Sequence, residues 1–300
     1  MAKIIVIGSS NTDMVVKTKK FPAPGETILG GEFFMFSGGK GANQAVAAAR
    51  MGGEVTFICK TGDDIFGNRS LEIFRKEGIN TSFAGTHSEK ASGVALILVD
   101  SKGENQIVVA PGANNTLTDQ DIQSAEKEIE SAEIILMQLE IPISSVVFAA
   151  KLASQHKKKF VLNPAPATQL PTELYKHLYL ITPNETEAEI LTGIKVEDVL
   201  SARKAADKLL GYGVQNVIIT LGAAGAYFEN KEREFSIKAP VAKAVDTTAA
   251  GDVFNGVLVV ELTNGKNWED AISMACKAAS ISVTRMGAQS SMPYFQELTS

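Results

Sequence analysis

The sequence predicts a doubly wound α/β fold with a small antiparallel sheet set beside the main one, and three observations predict it. From about residue 115 onward, short β-branched runs alternate with helix-length segments, the pattern of parallel βαβ units. Those runs are nearly continuous in apolar residues, as strands covered on both faces must be. The first third of the chain breaks the alternation, because several of its strand-like stretches have no crossover helix between them.

In chain order, Ile4-Ile5-Val6-Ile7 reads as a buried first strand. The basic start and short apolar run of Met1 to Gly8 resemble a signal peptide only superficially. Polar Asn11 and Asp13 follow at once, with no small-residue cleavage site. Thr27 to Phe36 and Gly93 to Val99 read as strands of the small sheet. Bulky apolar side chains alternate onto both faces of Ile28 to Phe36, so that strand calls for cover on both sides: a ligand on one, a second subunit on the other. A helix runs from Ala45 to Met51. The main-sheet strands are Ile134-Ile135-Leu136-Met137, Phe160-Val161-Leu162, Tyr179-Leu180-Ile181 and Val217-Ile218-Ile219, and an almost wholly apolar helix follows at Val253 to Leu262. With no repeat or long linker visible, residues 1–300 read as one domain carrying a β lid of about 13–36 and 91–113.

Composition narrows the function classes. No segment of the sequence approaches the roughly 18 apolar residues of a spanning helix, which leaves no membrane role. A net charge of −5 speaks against a nucleic-acid partner. The one basic cluster, Lys157-Lys158-Lys159, reads as a solvated turn. Cys59 and Cys276 are far apart and form no CxxC pair, which fits a reducing, cytoplasmic setting. His87, His156 and His177 lack zinc-ligand spacing.

Four stretches carry chemistry. In Thr248-Ala249-Ala250-Gly251-Asp252, small residues lead into a helix whose free first-turn amides suit an anion. Asp252 has two readings there, an N-cap or a base that takes a hydroxyl proton beside an anion hole. Ser37-Gly38-Gly39-Lys40-Gly41-Ala42-Asn43-Gln44 is not a P-loop, since Gly41 follows Lys40, nor a dinucleotide fingerprint, since Gln44 occupies the third glycine position. It is either a plain tight turn or one that brings amides, Lys40 and Asn43 onto a small polyol. Asn184 and Glu187 have capping-box spacing, but an i, i+3 amide and carboxylate can also face a hydrated Mg²⁺. Thr220-Leu221-Gly222-Ala223-Ala224-Gly225 is a strand-to-strand turn or an adenine or phosphate contact.

Taken in order, Gly38 to Asn43, Asn184-x-x-Glu187 and Asp246-Thr247-Thr248-Ala249-Ala250-Gly251-Asp252 resemble the ribokinase family of carbohydrate kinases, and the likeness extends to Arg285-Met286-Gly287-Ala288-Gln289. The resemblance implies a three-layer α/β/α domain with a β lid that forms a homodimer interface. It implies ATP-dependent phosphorylation of a furanose sugar: D-ribose at its 5-hydroxyl first, then deoxyribose, fructose or a nucleoside. On that likeness Asp252 is the base and the amides of Ala249, Ala250 and Gly251 are the anion hole. Asn11, Asp13, Gly39, Lys40, Asn43 and Glu140 hold the sugar hydroxyls. ATP lies along Asn184, Thr220, Gly222, Gly225 and Gly251, with Cys276 near the adenine. Mg²⁺ sits on the phosphates with Glu187 orienting its waters. A monovalent cation, K⁺, lies near Asp246, Thr248, Ser282, Arg285, Gly287 and Ser291, held mostly by backbone carbonyls. The competing class is a non-catalytic sugar-binding regulator, which has no need of a hydroxyl base. A nicotinamide-dependent dehydrogenase lacks its full fingerprint.

Overall fold

Alternate side chains of the first strand go to opposite faces, and both faces are core. Ile4 and Val6 join one apolar cluster, while Ile5 and Ile7 join another. The same split recurs at Leu136 against Ile135 and Met137, and at Ile218 against Val217 and Ile219. A sheet so patterned requires helices on both sides, and the computed structural model, which describes residues 3–299, has them.

The strands are β1 (Lys3–Ile7), β2 (Asn11–Lys17), β3 (Glu32–Gly38), β4 (Glu54–Gly62), β5 (Ala84–His87), β6 (Gly93–Val99), β7 (Asn105–Ala110), β8 (Ile134–Met137), β9 (Lys159–Leu162), β10 (Leu180–Ile181), β11 (Asn216–Thr220), β12 (Ala226–Asn230) and β13 (Glu234–Ile237). Nine form the main sheet in the order β13-β12-β11-β10-β9-β8-β1-β4-β5. It is parallel from β11 to β5, and β12 and β13 are added antiparallel at one edge. The turn at Leu221 to Gly225 therefore joins antiparallel neighbours. The strand order reverses between β1 and β8, and ligands of open α/β sheets bind at the carboxyl ends flanking such a point.

The remaining four strands form a separate sheet, β3-β2-β6-β7. Its register divides two faces. Asp13, Val15, Phe34, Phe36, Ile97 and Ile107 share one face, which lines a cavity of about 540 Å³ closed on the far side by Asp246 to Thr248 and Met286 to Ala288. Met14, Val16, Phe33, Leu96 and Val108 share the other, where Val108 is 68%, Phe33 61% and Leu96 55% exposed.

Three predicted boundaries shift. The strand expected from Thr27 begins at Glu32, because Gly30 and Gly31 adopt φ of 100° and 119°, outside extended backbone. The helix expected from Ala45 to Met51 spans Lys40–Arg50, with Gly39 as its N-cap. The helix expected from Val253 begins at Ala250 and runs to Thr263. Met1 and Ala2, which open the predicted first run, lie outside the described residues. Among the described residues no helix is long and apolar enough to cross a membrane.

Candidate active site

The glycine stretch docks on the β1–β2 turn so closely that side chains are excluded. A Cβ on Gly39, whose φ is 89°, would lie 2.6 Å from the Asn11 amide nitrogen, and one on Gly41 would lie 2.5 Å from that of Ser9. This approach places the start of helix Lys40–Arg50 beside the carboxyl ends of β1 and β8. Glu140, just past β8, accepts hydrogen bonds from Ser9 Oγ at 2.5 Å and from the Lys40 amide at 3.0 Å.

Helix Lys40–Arg50 packs on helix Ala250–Thr263 at Gly256, where a Cβ would lie 2.7 Å from the Gln44 carbonyl oxygen. The contact lies one turn beyond Asp252, and it sets two amides against that carboxylate. Asn43 Nδ2 donates to Oδ2 at 2.9 Å and Gln44 Nε2 to Oδ1 at 3.0 Å. Asp252 is thus not the N-cap. That position belongs to Ala249, in the left-handed region at φ 61°, with no side-chain cap, and Asp252 is the third residue of the helix. The first-turn amides of Gly251 and Asp252 have no intrahelical acceptor and are free to receive an anion.

Four carboxylates surround Lys40: Asp13, Glu140, Asp252 and Glu187. Burial opposes the Lys40 ammonium, yet the charges of Asp252, Glu140, Glu187 and Asp13 hold its pKa above the usual range. Asp13 is pushed up to about 7 by burial, then by Glu140 and Asp252, with Lys40 opposing. Its carboxylate packs against Gly38, lines the cavity and accepts no hydrogen bond among the described residues. Burial also raises Asp252, against Lys40, Asn43 and Gln44, which favour its ionised form. Asn43 Oδ1 is buried without a partner. A donor-poor, acceptor-rich pocket of this kind suits a ligand bearing several hydroxyls. Asn11 stands at its edge, with Oδ1 held by Asn114 Nδ2 at 2.7 Å.

The predicted nucleotide residues fall along the ends of β10 and β11. Asn184 bridges to Thr220, and Gly222 lies beside Glu185. Gly225 has a packing reason to lack a side chain, since a Cβ there would strike the Ile237 carbonyl. Cys276 is buried in helix Trp268–Ser282, and burial raises its thiol to about 11. The capping box at Asn184 and Glu187 is formed in full: Glu187 N donates to Asn184 Oδ1 at 2.8 Å, and Asn184 N to Glu187 Oε2 at 2.9 Å. Burial raises the Glu187 pKa, with the Asn184 amide and Lys40 opposing.

Asp246 ties two loops together, accepting from Thr248 N at 3.0 Å and Gly287 N at 2.9 Å. Burial works against its charge, but these bonds hold its carboxyl below the usual range. Val283 O receives the amides of Val245 and Asp246, which brings Ser282 and Arg285 alongside. The Ser282 and Ser291 hydroxyls donate to Ala279 O and Ala288 O, and the Arg285 guanidinium pairs with Glu297. Those three side chains are engaged locally, so any contribution to a cation there falls to their carbonyls.

Sequence reasoning missed Ser9, Asn114, Gln138 and Asn163, and it took Gln44 only as a departure from a dinucleotide motif. One signal was available. Ser9, Gln138, Asn163, Thr182 and Thr220 are the polar residues at or just past the carboxyl ends of β1, β8, β9, β10 and β11, where an apolar strand gives way to the ligand side of the sheet.

Comparison with known proteins places the chain in a family. Residues 1–294 match the pfkB family carbohydrate kinase profile. The chain is 47% identical over 294 residues to a ribokinase of Haemophilus influenzae, covering 98% of this chain and 96% of that one. It is 37% identical over 295 residues to a deoxyribokinase of Salmonella typhi, covering 98% and 96%. Among solved structures, the Arabidopsis thaliana ribokinase complexed with ribose and ATP superimposes with a TM-score of 0.92 at 31% identity, covering 100% of this chain and 98% of that one.

Proposed function

The chain belongs to the pfkB family of carbohydrate kinases, and on that premise we propose that it transfers the γ-phosphoryl group of ATP to the 5-hydroxyl of D-ribose, giving D-ribose 5-phosphate and ADP. The observation that carries the reading is the closeness of three groups: a donor-free carboxylate at Asp13, which lines the cavity and feels the charge of Asp252, an unpaired amide oxygen at Asn43, and the Asp252 carboxylate beside unfilled first-turn amides.

Asp13, Asn43 and Glu140 take hydrogen bonds from the sugar hydroxyls, while Asn11, Lys40 and the Gly39 backbone fix its edge. The hydroxyl to be phosphorylated meets Asp252, which accepts its proton as the oxygen attacks phosphorus. The free helix-start amides of Gly251 and Asp252, with Ala249 just before them, receive the charge that builds on the moving phosphoryl group, while the Ala250 amide is taken by Thr247 O at 3.3 Å. ATP lies along Asn184, Thr220, Gly222 and Gly225, with Cys276 toward the base.

Among the described residues no group of three or more His, Cys, Asp and Glu side chains could hold a metal unaided. A Mg²⁺ that takes phosphate oxygens and waters as its main ligands fits such a site, and Glu187, whose Oε1 is not committed to the capping box, is the residue to orient those waters. When bound, the ion neutralises phosphate charge. Asp246, with the backbone of Thr248, Ser282, Arg285, Gly287 and Ser291, is the seat for K⁺, beside the helix start. The apolar outer face of the lid pairs two subunits. Both cysteines are free and buried, in keeping with a cytoplasmic protein.

ADP release with ribose, 2-deoxyribose, fructose and adenosine tests the substrate. Ribose should give the highest kcat/KM. The Salmonella typhi relative makes 2-deoxyribose the serious competitor, and a higher value for that sugar would replace ribose in the account.

A further inference from the structure

Behind Asp252 lies a buried chain of amides that the proposed reaction does not itself use. Gln44 Nε2 donates to Asp252 Oδ1 and to Asn163 Oδ1, each at 3.0 Å, and Gln44 Oε1 accepts from Gln138 Nε2 at 2.6 Å. Asn163 Nδ2 donates to Thr182 O at 3.1 Å, Thr182 Oγ1 to Asn255 Oδ1 at 2.6 Å, and Asn255 Nδ2 to Gly251 O at 2.8 Å. The path thus leaves the carboxylate of Asp252 and returns to the helix turn that bears its backbone.

The connectivity allows the Gln44 amide one orientation. A flip would set its oxygen against the Asp252 carboxylate and against Asn163 Oδ1, whose own amide is held by its bond to Thr182 O. Gln44, Gln138 and Asn163 are all buried, so bulk solvent does not compete for these links.

We infer that Gln44 is a positioning residue for the base: locked by Gln138 and Asn163, it fixes the Asp252 carboxylate in one rotamer facing the sugar and favours its ionised form. The inference rests on Asp252 being the base. The other groups that face Asp252 are Lys40 from helix Lys40–Arg50, Asp13 from β2, Glu140 beyond β8 and Glu187 from helix Glu185–Thr192. Lys40 favours the charged carboxylate and the three acids oppose it. Gln44 is therefore one of few donors in a field of negative charge, and its removal cannot be made good locally.

The test is kcat, KM for ribose and the pH profile of kcat/KM for the wild type, Gln44→Met, Gln138→Met and Asp252→Asn. Loss of a hydrogen bond to a charged group predicts that Gln44→Met lowers kcat about ten- to hundredfold, with KM within about threefold. The acid limb should move to higher pH by about one unit. Gln138→Met, one link removed, should shift both readouts the same way by less, and it keeps the test open if Gln44→Met does not fold. An unmoved acid limb in the folded variants, whatever the fall in kcat, assigns the amides a structural role and overturns the inference. Retained turnover in Asp252→Asn would instead overturn the base assignment beneath it.

Discussion

Asp13 is a charge held in the wrong place for stability, and Asp13→Asn should expose the cost. Its carboxyl is raised from 3.8 to about 7 by burial and by Glu140 and Asp252. A carboxyl whose folded pKa exceeds its unfolded value binds more protons when folded. Stability is therefore greatest below about pH 4, falls as pH rises toward 7 and levels off above that. With those two pKa values, ionisation of Asp13 costs on the order of 2 kcal/mol at pH 5 and on the order of 4 kcal/mol at pH 8. Asparagine has nearly the same shape and no charge, so the variant should gain roughly those amounts. Urea denaturation without ligand at both pH values measures them, with sugar binding by calorimetry alongside. The expected result is a protein that is more stable, increasingly so at pH 8, and that binds ribose poorly, the trade-off of a strained site. Equal or lower stability of Asp13→Asn at pH 8 would refute the claim that an unpaired buried carboxylate awaits sugar hydroxyls.

Other perturbations follow from the same geometry. Gly39→Ala should destabilise by about 2–4 kcal/mol in urea and impair turnover, because its Cβ would meet the Asn11 backbone at a positive φ. In sedimentation the wild type should run as a dimer and Val108→Lys, on the outer lid face, as a monomer; a monomeric wild type would remove the dimer proposal. Replacing K⁺ by Na⁺ should lower wild-type turnover, and Asp246→Ala should abolish the difference, since Asp246 joins the Thr248 and Gly287 loops.

The legible parts of the molecule were those written locally. Ile134 to Met137 and Val217 to Ile219 announce buried parallel strands because both alternating faces are core, and the cluster around Asp252 announces a helix start because small residues precede an apolar run. The N-cap reading of Asp252 fell to a backbone fact absent from residue identity: Ala249 takes the left-handed conformation, and the helix starts earlier. The amides behind Asp252 were hidden for another reason. Gln44 lies 208 residues from Asp252 and 119 from Asn163, and only the close packing at Gly256 and the convergence of strand ends bring them together. The capping box at Asn184 was readable, but its geometry leaves Glu187 an uncommitted oxygen that spacing alone does not reveal.

The central claim is that Asp252 takes the proton of a sugar hydroxyl. Its most direct test is coupled ADP release with ribose, Mg²⁺ and K⁺ on the wild type and Asp252→Asn, with ribose binding measured on both. Loss of a general base predicts a fall in kcat of about 10²- to 10⁴-fold with binding kept. Turnover in Asp252→Asn close to that of the wild type would contradict the account.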